Sequence, residues 1–282
     1  MALAGLAELL APAHAAGYAV AAFNVIGLEH AEAIVRGAEL ERSPVILQLS
    51  QNAVRYHFGQ VEPIGAACRE LAGLATVPVA LHLDHATEED LCVRAVAVGF
   101  GSVMLDAQGS PEETIHRVAD LVVWARARGV AVEGALGVVG GKEGQETTED
   151  GMTDPEAAKE YAERTGVAAL AVAIGTTHGM VAQTARLDLD RLAALRAVVP
   201  VPLVLHGSSG VPDALLTEAA RLGVAKVNLA TQLNKAFTAA IRRELAADPE
   251  VVDPRRYVAP AREAVIQAVR GKLRILGSAG TA

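Results

Sequence analysis

Eight short apolar runs, each followed by an amphipathic or polar segment, predict an α/β fold in which eight parallel strands close into a (β/α)8 barrel. Two further observations agree. The 282 residues fit one large domain spanning 1–282, with no internal repeat and no low-complexity linker. Hydrophobic residues make up 51% of the chain but aromatics only 3%, so the core must be built from the small and branched side chains that fill a parallel barrel. An open doubly wound sheet is the competing arrangement, but no G-x-G-x-x-G follows the first strand.

The elements follow in order. Met1–Ala16 is expected to form an amphipathic helix ahead of the barrel. Strands are expected at Ala19–Val25, Val45–Ser50, Val77–Asp84, Ser102–Asp106, Ala131–Leu136, Ala169–Gly175, Pro202–His206 and Lys226–Ala230. Helical periodicity marks Leu28–Leu40, Thr87–Val98, Glu112–Ala127 and Asp213–Leu222, with Thr87 placed to cap the second of these. Two segments exceed a minimal barrel. Gly137–Thr153 is long, polar and Gly-rich, as segments are that are either disordered or functional, active-site lids being a common case. The tail Leu245–Ala282 adds a turn at Asp253–Arg256 and a further helix, which would pack on a neighbouring subunit or cap its own barrel.

Charge and cysteine content narrow the partners. The formal net charge is -8 and no basic cluster is present, which argues against nucleic acid. It leaves room for an anionic substrate bound by a few local donors. Cys68 and Cys92 lack metal-site spacing and suit buried helix positions. No apolar run reaches the roughly 18 residues of a membrane span, and the first helix has no basic n-region. The expectation is a soluble, cytoplasmic chain with no membrane partner.

In parallel barrels the chemistry collects at the C-terminal strand ends. Those ends carry Asn24, Ser50, Asp84-His85, Asp106, Glu133, His178-Gly179, His206 to Gly210, and Asn228 to Thr231. Three histidines, His85, His178 and His206, therefore fall on one rim. Three neutral imidazoles from separate strands make a zinc site with an open position, suited to Lewis-acid work. His14, His30, His57 and His116 fall on helices or loops, where surface roles suffice. His82 lies inside the third strand and should face the packed interior or a neighbouring strand. Asp84 and His85 pose a geometric problem, because adjacent strand residues point to opposite faces. Both reach one site only if the strand ends near Asp84 and the chain turns. The Gly207-Ser208-Ser209-Gly210 turn and the Asn228–Thr231 segment follow strands seven and eight, where barrels bind phosphate through loop amides.

The segments AAFNV (21–25), LHLDH (81–85), SVMLDA (102–107), VAIGTTHG (172–179), PLVLHGSSGVP (202–212), KVNLAT (226–231) and DPRRYVAPAREAV (253–265) resemble the class II ketose-bisphosphate aldolases, in order and over about residues 1–278. The resemblance implies reversible cleavage of a ketose 1,6-bisphosphate, fructose 1,6-bisphosphate being favoured, to dihydroxyacetone phosphate and glyceraldehyde 3-phosphate. It implies a catalytic Zn2+ on His85, His178 and His206. It implies Asp84 as the acid–base group at C4, and Glu143 of the GGKEG segment as its counterpart at C3. Gly179, Gly207, Ser208, Ser209, Asn228, Leu229, Ala230 and Thr231 would hold dihydroxyacetone phosphate. Ser50 would contact the second phosphate, and Asn24 would also belong to the substrate site. A monovalent cation (Na+ or K+) and a homodimer or homotetramer are also implied. So is a second metal position that includes Asp106.

The match has departures. Members commonly read VEAELG in strand five, whereas this chain reads VEGALG: Glu133 is kept and the second glutamate is Ala135. One metal position rather than two is therefore expected. Ala230 stands where many fructose-bisphosphate members carry an acid, as in tagatose-bisphosphate aldolases, while the tail is closer to the fructose-bisphosphate members. Two other readings compete: a Schiff-base aldolase through Lys226, and a non-catalytic sugar-phosphate-binding subunit on the same barrel.

Overall fold

A computed structural model describes residues 3–137 and 151–282. Helix α1 (Leu6–Ala16) comes first, followed by β1 (Val20–Asn24), α2 (Leu28–Glu41) and β2 (Val45–Ser50). Two helices, α3 (Gln51–Tyr56) and α4 (Glu62–Leu74), lead to β3 (Val79–Ala86) and α5 (Glu89–Val98). Then come β4 (Ser102–Leu105), α6 (Pro111–Arg126), β5 (Ala131–Leu136), α7 (Pro155–Thr165), β6 (Ala169–Val172) and α8 (Leu189–Val198). The chain ends with β7 (Leu203–Leu205), a 3-10 turn (Ser208–Gly210), α9 (Asp213–Arg221), β8 (Val224–Leu229), α10 (Thr231–Ala247) and α11 (Arg255–Ile275). The eight strands close in sequence order, with β1 pairing β8. The expected barrel with extra terminal helices is the observed one.

Side-chain parity divides the barrel into two cores. Inward residues Val20, Ala22, Ile46, Ala80, Ala169, Ala171 and Val204 cluster with Leu6, Leu9, Leu10 and Ala13 of α1. Helix α1 thus plugs one end of the barrel with apolar side chains. The alternate residues, among them Phe23, Leu47, Leu81, Leu83, Val103, Leu170, Leu205, Val227 and Leu229, face the helical ring and form the larger core. Each such buried branched side chain contributes about 1.5–3 kcal/mol. Moving along the strands on the inward parity, the apolar plug gives way to Gln48, His82, Glu133, Lys226 and His206, all buried. The polar layer therefore sits on an apolar floor.

Local chemistry sets several boundaries. Ser110 caps α6 in a capping box with Glu113, and Asp154 caps α7 ahead of Pro155. Gly99 and Gly166 end α5 and α7 in the left-handed conformation. Thr87 does not cap α5, contrary to expectation. The position before α5 is Glu88, with no side-chain cap, while the Thr87 backbone N–H donates to Gln51 Oε1 at 2.8 Å. Strand β6 stops at Val172, short of the expected Gly175. Beyond it the Ala173 N–H donates to Thr153 Oγ1 at 2.7 Å, and Ile174 O accepts from Asp188 N at 3.0 Å. The far end of the expected lid segment is thus tied between β5 and β6. Its centre, with Glu143, lies outside the described residues.

The final helix α11 packs on α2 and α10 of its own chain. Gly37 of α2 makes this possible, because a Cβ there would stand 2.7 Å from Val269 Cγ1 of α11. Cys68 and Cys92 are buried in α4 and α5, and burial pushes both thiols up to about 12. His30, expected at the surface, is only 6% exposed and stacks at 4.7 Å on Phe237. Among the described residues, no helix is long and apolar enough to cross a membrane.

Replacing Gly37 with Leu is expected to wedge α2 from α11 and destabilise the chain by about 1–3 kcal/mol. Denaturant unfolding reads this as a lowered midpoint, and an unchanged midpoint contradicts the packing described.

Candidate active site

Strand β3 solves the Asp84-His85 problem without ending. Leu83 pairs with Val103, but the next pairing is Ala86 with Leu105, so β3 holds one residue more than β4 over this stretch. The bulge is centred on His85, whose φ of +54° is left-handed. A left-handed L-residue costs on the order of 1–2 kcal/mol. Asp84 keeps the inward parity, and the bulge swings His85 round to join it. Both then line one cavity.

The other two histidines arrive on neighbouring loops. His178 follows β6 and His206 follows β7. Gly207, at φ +65°, lets the second loop close on the first: a Cβ there would lie 2.8 Å from the Thr177 carbonyl carbon. The three rings stand 4.8, 5.3 and 5.9 Å apart at 79–83° to one another. One ligand nitrogen from each lies within 4.8 Å of the others.

Outer partners fix which nitrogens turn inward. His85 Nδ1–H donates to Asp106 Oδ2 at 2.8 Å. His206 Nε2–H donates to Glu133 Oε1 at 2.8 Å. With those protons outward, His85 Nε2 and His206 Nδ1 present lone pairs to each other 3.0 Å apart. Two facing lone pairs at that distance repel unless a cation lies between them. Burial holds His206 well below the ordinary histidine range, and the neighbouring His85 adds to this. Neutral imidazoles backed by carboxylates are what a divalent metal needs. Asp106 thus sits behind His85, bonded to its outer nitrogen.

The cavity occupies about 620 Å3. Asp84, Asn24, Ser50, Gly179, Gly207, Ser208, Ser209, Asn228, Ala230 and Thr231 all line it. Leu229 does not: its side chain is buried in the outer core, so only its backbone could serve a ligand. Asp84 is 3% exposed and its Oδ1 lacks a hydrogen-bond partner, with His85 Nε2 3.7 Å away. Asn228 is 6% exposed, and neither amide atom of its side chain is hydrogen bonded. An unpartnered buried polar group costs about 1–3 kcal/mol, so these two are arranged for something that enters the cavity. Beside them Ala230 starts α10 with no side-chain cap, and Ala230 N donates to Ser209 Oγ at 3.3 Å. Ala230 and Thr231, where α10 begins, both line the cavity, and a helix N-terminus has free amides to offer an anion.

Several contributors were not assigned from sequence. Gln48, Gln51, Asn52, Arg55, Thr87 and Gln108 line the cavity from β2, α3 and the loops after β3 and β4. Glu133 stands inside β5 and is fully buried. A carboxylate inside a buried strand needs partners, and that signal was available. Lys226, the Schiff-base candidate, is fully buried outside the cavity lining and bonded to Glu133, which removes the basis of that reading.

The model of the family described as "Fructose-bisphosphate aldolase class-II" matches residues 4–281. Fructose-bisphosphate aldolase of Geobacillus stearothermophilus is 40% identical over 285 residues, covering 100% of this chain and 99% of that one. A probable fructose-bisphosphate aldolase of Bacillus subtilis is 41% identical, with both chains covered completely. Among solved structures, the YdjI aldolase from Escherichia coli K12 superposes with a TM-score of 0.87 at 32% identity, covering 99% of each chain.

Burial also holds His82 well below its ordinary value, with the Lys226 ammonium adding to the effect. Unfolding returns His82 to about 6.5. Below that pH the unfolded chain takes up a proton there that the folded chain refuses. Stability of the metal-free protein should fall by about 1.4 kcal/mol per pH unit on account of His82. Thermal midpoints should drop from pH 7 to pH 5, and drop less in His82→Gln. A flat profile contradicts this assignment.

Proposed function

The chain belongs to the class II fructose-bisphosphate aldolase family, and from that membership we propose that it cleaves fructose 1,6-bisphosphate reversibly to dihydroxyacetone phosphate and glyceraldehyde 3-phosphate. The observation that carries the reading is the convergence of His85, His178 and His206 beside the buried, unpartnered carboxylate oxygen of Asp84. The proposed metal is zinc, held by the three histidines. A bound zinc ion supplies the Lewis acid that draws off negative charge left on the dihydroxyacetone phosphate half.

The chain's own residues do the rest. Cleavage breaks the bond between C3 and C4 of the open-chain sugar. Asp84 takes the C4 hydroxyl proton as that oxygen becomes the aldehyde carbonyl, and returns it in condensation. The bonding pair stays at C3, where Glu143 is proposed to deliver a proton. Gly179, the Gly207–Ser209 turn and the start of α10 are proposed to hold the first phosphate through backbone amides and hydroxyls, and Asn228 to orient the adjoining hydroxyls. Ser50 is proposed to meet the second phosphate, and Arg55 joins it. Among the described residues Arg55 is the one Lys or Arg lining the cavity and makes no ion pair, only a 3.4 Å bond to Asn52. Asp106 is assigned to His85 rather than to a second metal, since Ala135 supplies no further acid.

Tagatose 1,6-bisphosphate is a second candidate substrate, favoured by the small Ala230 on the cavity wall. The proposal extends to an active homodimer or homotetramer in the cytoplasm, with Na+ or K+ as an auxiliary ion.

Parallel kinetics on the two bisphosphates, before and after chelation, test the reading. Chelated enzyme should lose cleavage and recover it with zinc; cleavage that survives complete metal removal sinks the proposal. Asp84→Ala should keep zinc but lose at least about 100-fold in kcat. Arg55→Ala should lower kcat/KM for the bisphosphate about tenfold, or about 1.4 kcal/mol, and spare a ketose 1-phosphate. Equal losses on both substrates would remove Arg55 from the second phosphate.

A further inference from the structure

Lys226 lies in the middle of β8, with no exposure to solvent. It is level with Val204 of β7, two residues before His206. Its Nζ donates to Glu133 Oε2 at 2.7 Å, across the barrel interior from β8 to β5. Glu133 is equally buried, and its other oxygen takes the Nε2–H of His206 at 2.8 Å. One carboxylate thus joins a buried ammonium to a proposed metal ligand.

The neighbouring groups leave this task to Lys226. His82 Nε2 is 3.7 Å from Glu133 Oε2, beyond hydrogen-bond reach. Ser102 Oγ donates to Leu81 O at 3.1 Å, so it can only accept from His82 Nδ1, 2.9 Å away. That places the His82 proton on Nδ1 and leaves Nε2 with no proton to offer Glu133. Burial and the Lys226 ammonium keep the ring neutral. Among the described residues, Lys226 is then the one cation bonded to Glu133. Imine chemistry is not what its surroundings support, since Nζ is committed to the ion pair and Lys226 does not line the cavity.

We propose that Lys226 is a positioning residue for the metal-binding histidine His206, acting through Glu133. The ammonium anchors one carboxylate oxygen, so that the other holds the His206 Nε2–H outward and turns Nδ1 to the site. This rests on the reading of His85, His178 and His206 as a metal site. Outer partners of this kind change metal affinity by about 10–100-fold when removed.

The test is a competitive zinc titration of metal-free protein, with the visible spectrum of the cobalt(II)-substituted form as a second readout. Wild type, Lys226→Met, Glu133→Gln and the double variant are compared. If wild type binds no zinc, the metal-site reading itself fails. Given wild-type binding, Lys226→Met should weaken zinc about 10–100-fold and shift the cobalt bands. In the Glu133→Gln background the same change should add nothing, because the route through the carboxylate is already cut. Affinity and spectrum unchanged in Lys226→Met would overturn the proposal, and so would an undiminished effect in the double variant. Lys226→Met strands a buried carboxylate and can fail to fold. Lys226→Gln, which keeps a donor, then takes its place with the same opposing outcomes. Borohydride added with fructose 1,6-bisphosphate should leave Lys226 unlabelled, and a trapped adduct there would also overturn the assignment.

Discussion

Strand parity would send Asp84 and His85 to opposite faces of β3, and the left-handed backbone at His85, φ +54°, brings both to one cavity. The site depends on that extra residue. Without it His85 would turn into the outer core with Leu83, away from His206 and Asp106. The bulge also places Ala86 O to accept from Asp106 N, which brings the carboxylate of β4 within reach of the His85 ring. A local cost of about 1–2 kcal/mol is offset by these contacts and by closure of the barrel around them.

Below the rim, the barrel changes from apolar to polar along its axis. Helix α1 and the inward Ala, Val and Ile residues make a dry floor. The next layer holds the Glu133–Lys226 ion pair and the His82–Ser102 pair, fully buried. Buried charge is expensive unless paired, and a buried pair adds little net stability. Its value here is geometric, since it sets the rotation of His206. The cavity above carries orphaned groups, among them Asp84 Oδ1, Gln48 Oε1 and the Asn228 amide, at the point where chemistry is expected. Stability is concentrated in the floor and outer core, and unsatisfied polarity at the rim.

Much of this could be read from the sequence. Parallel strands buried on both faces give unbroken runs of Val, Leu, Ile and Ala, so all eight strands were found within a few residues. Polar residues stand out at the ends of such runs, where packing alone would favour more apolar side chains. The three histidines and the cavity-lining glycines and serines were therefore found together. What escaped depends on contacts between elements distant in sequence. Thr87 looked like a helix cap because Gln51, its actual partner, is 36 residues away. The bulge at His85 is defined by the register against β4, which no local pattern encodes. His30 looked like a surface residue because α10 and Phe237 arrive only after the barrel has closed. The link from Glu133 to His206 crosses the interior between β5 and β7, and the identity of Glu133 gave only the need for a partner.

The most direct measurement is a crystal structure of the zinc-loaded protein with anomalous diffraction data collected on both sides of the zinc absorption edge. The account predicts one strong peak at bonding distance from His85 Nε2, His206 Nδ1 and a ring nitrogen of His178, with Asp106 and Glu133 still bonded to the outer nitrogens. A peak bound by Asp106 or Glu133 in place of these histidines would contradict it, as would no peak among the three rings.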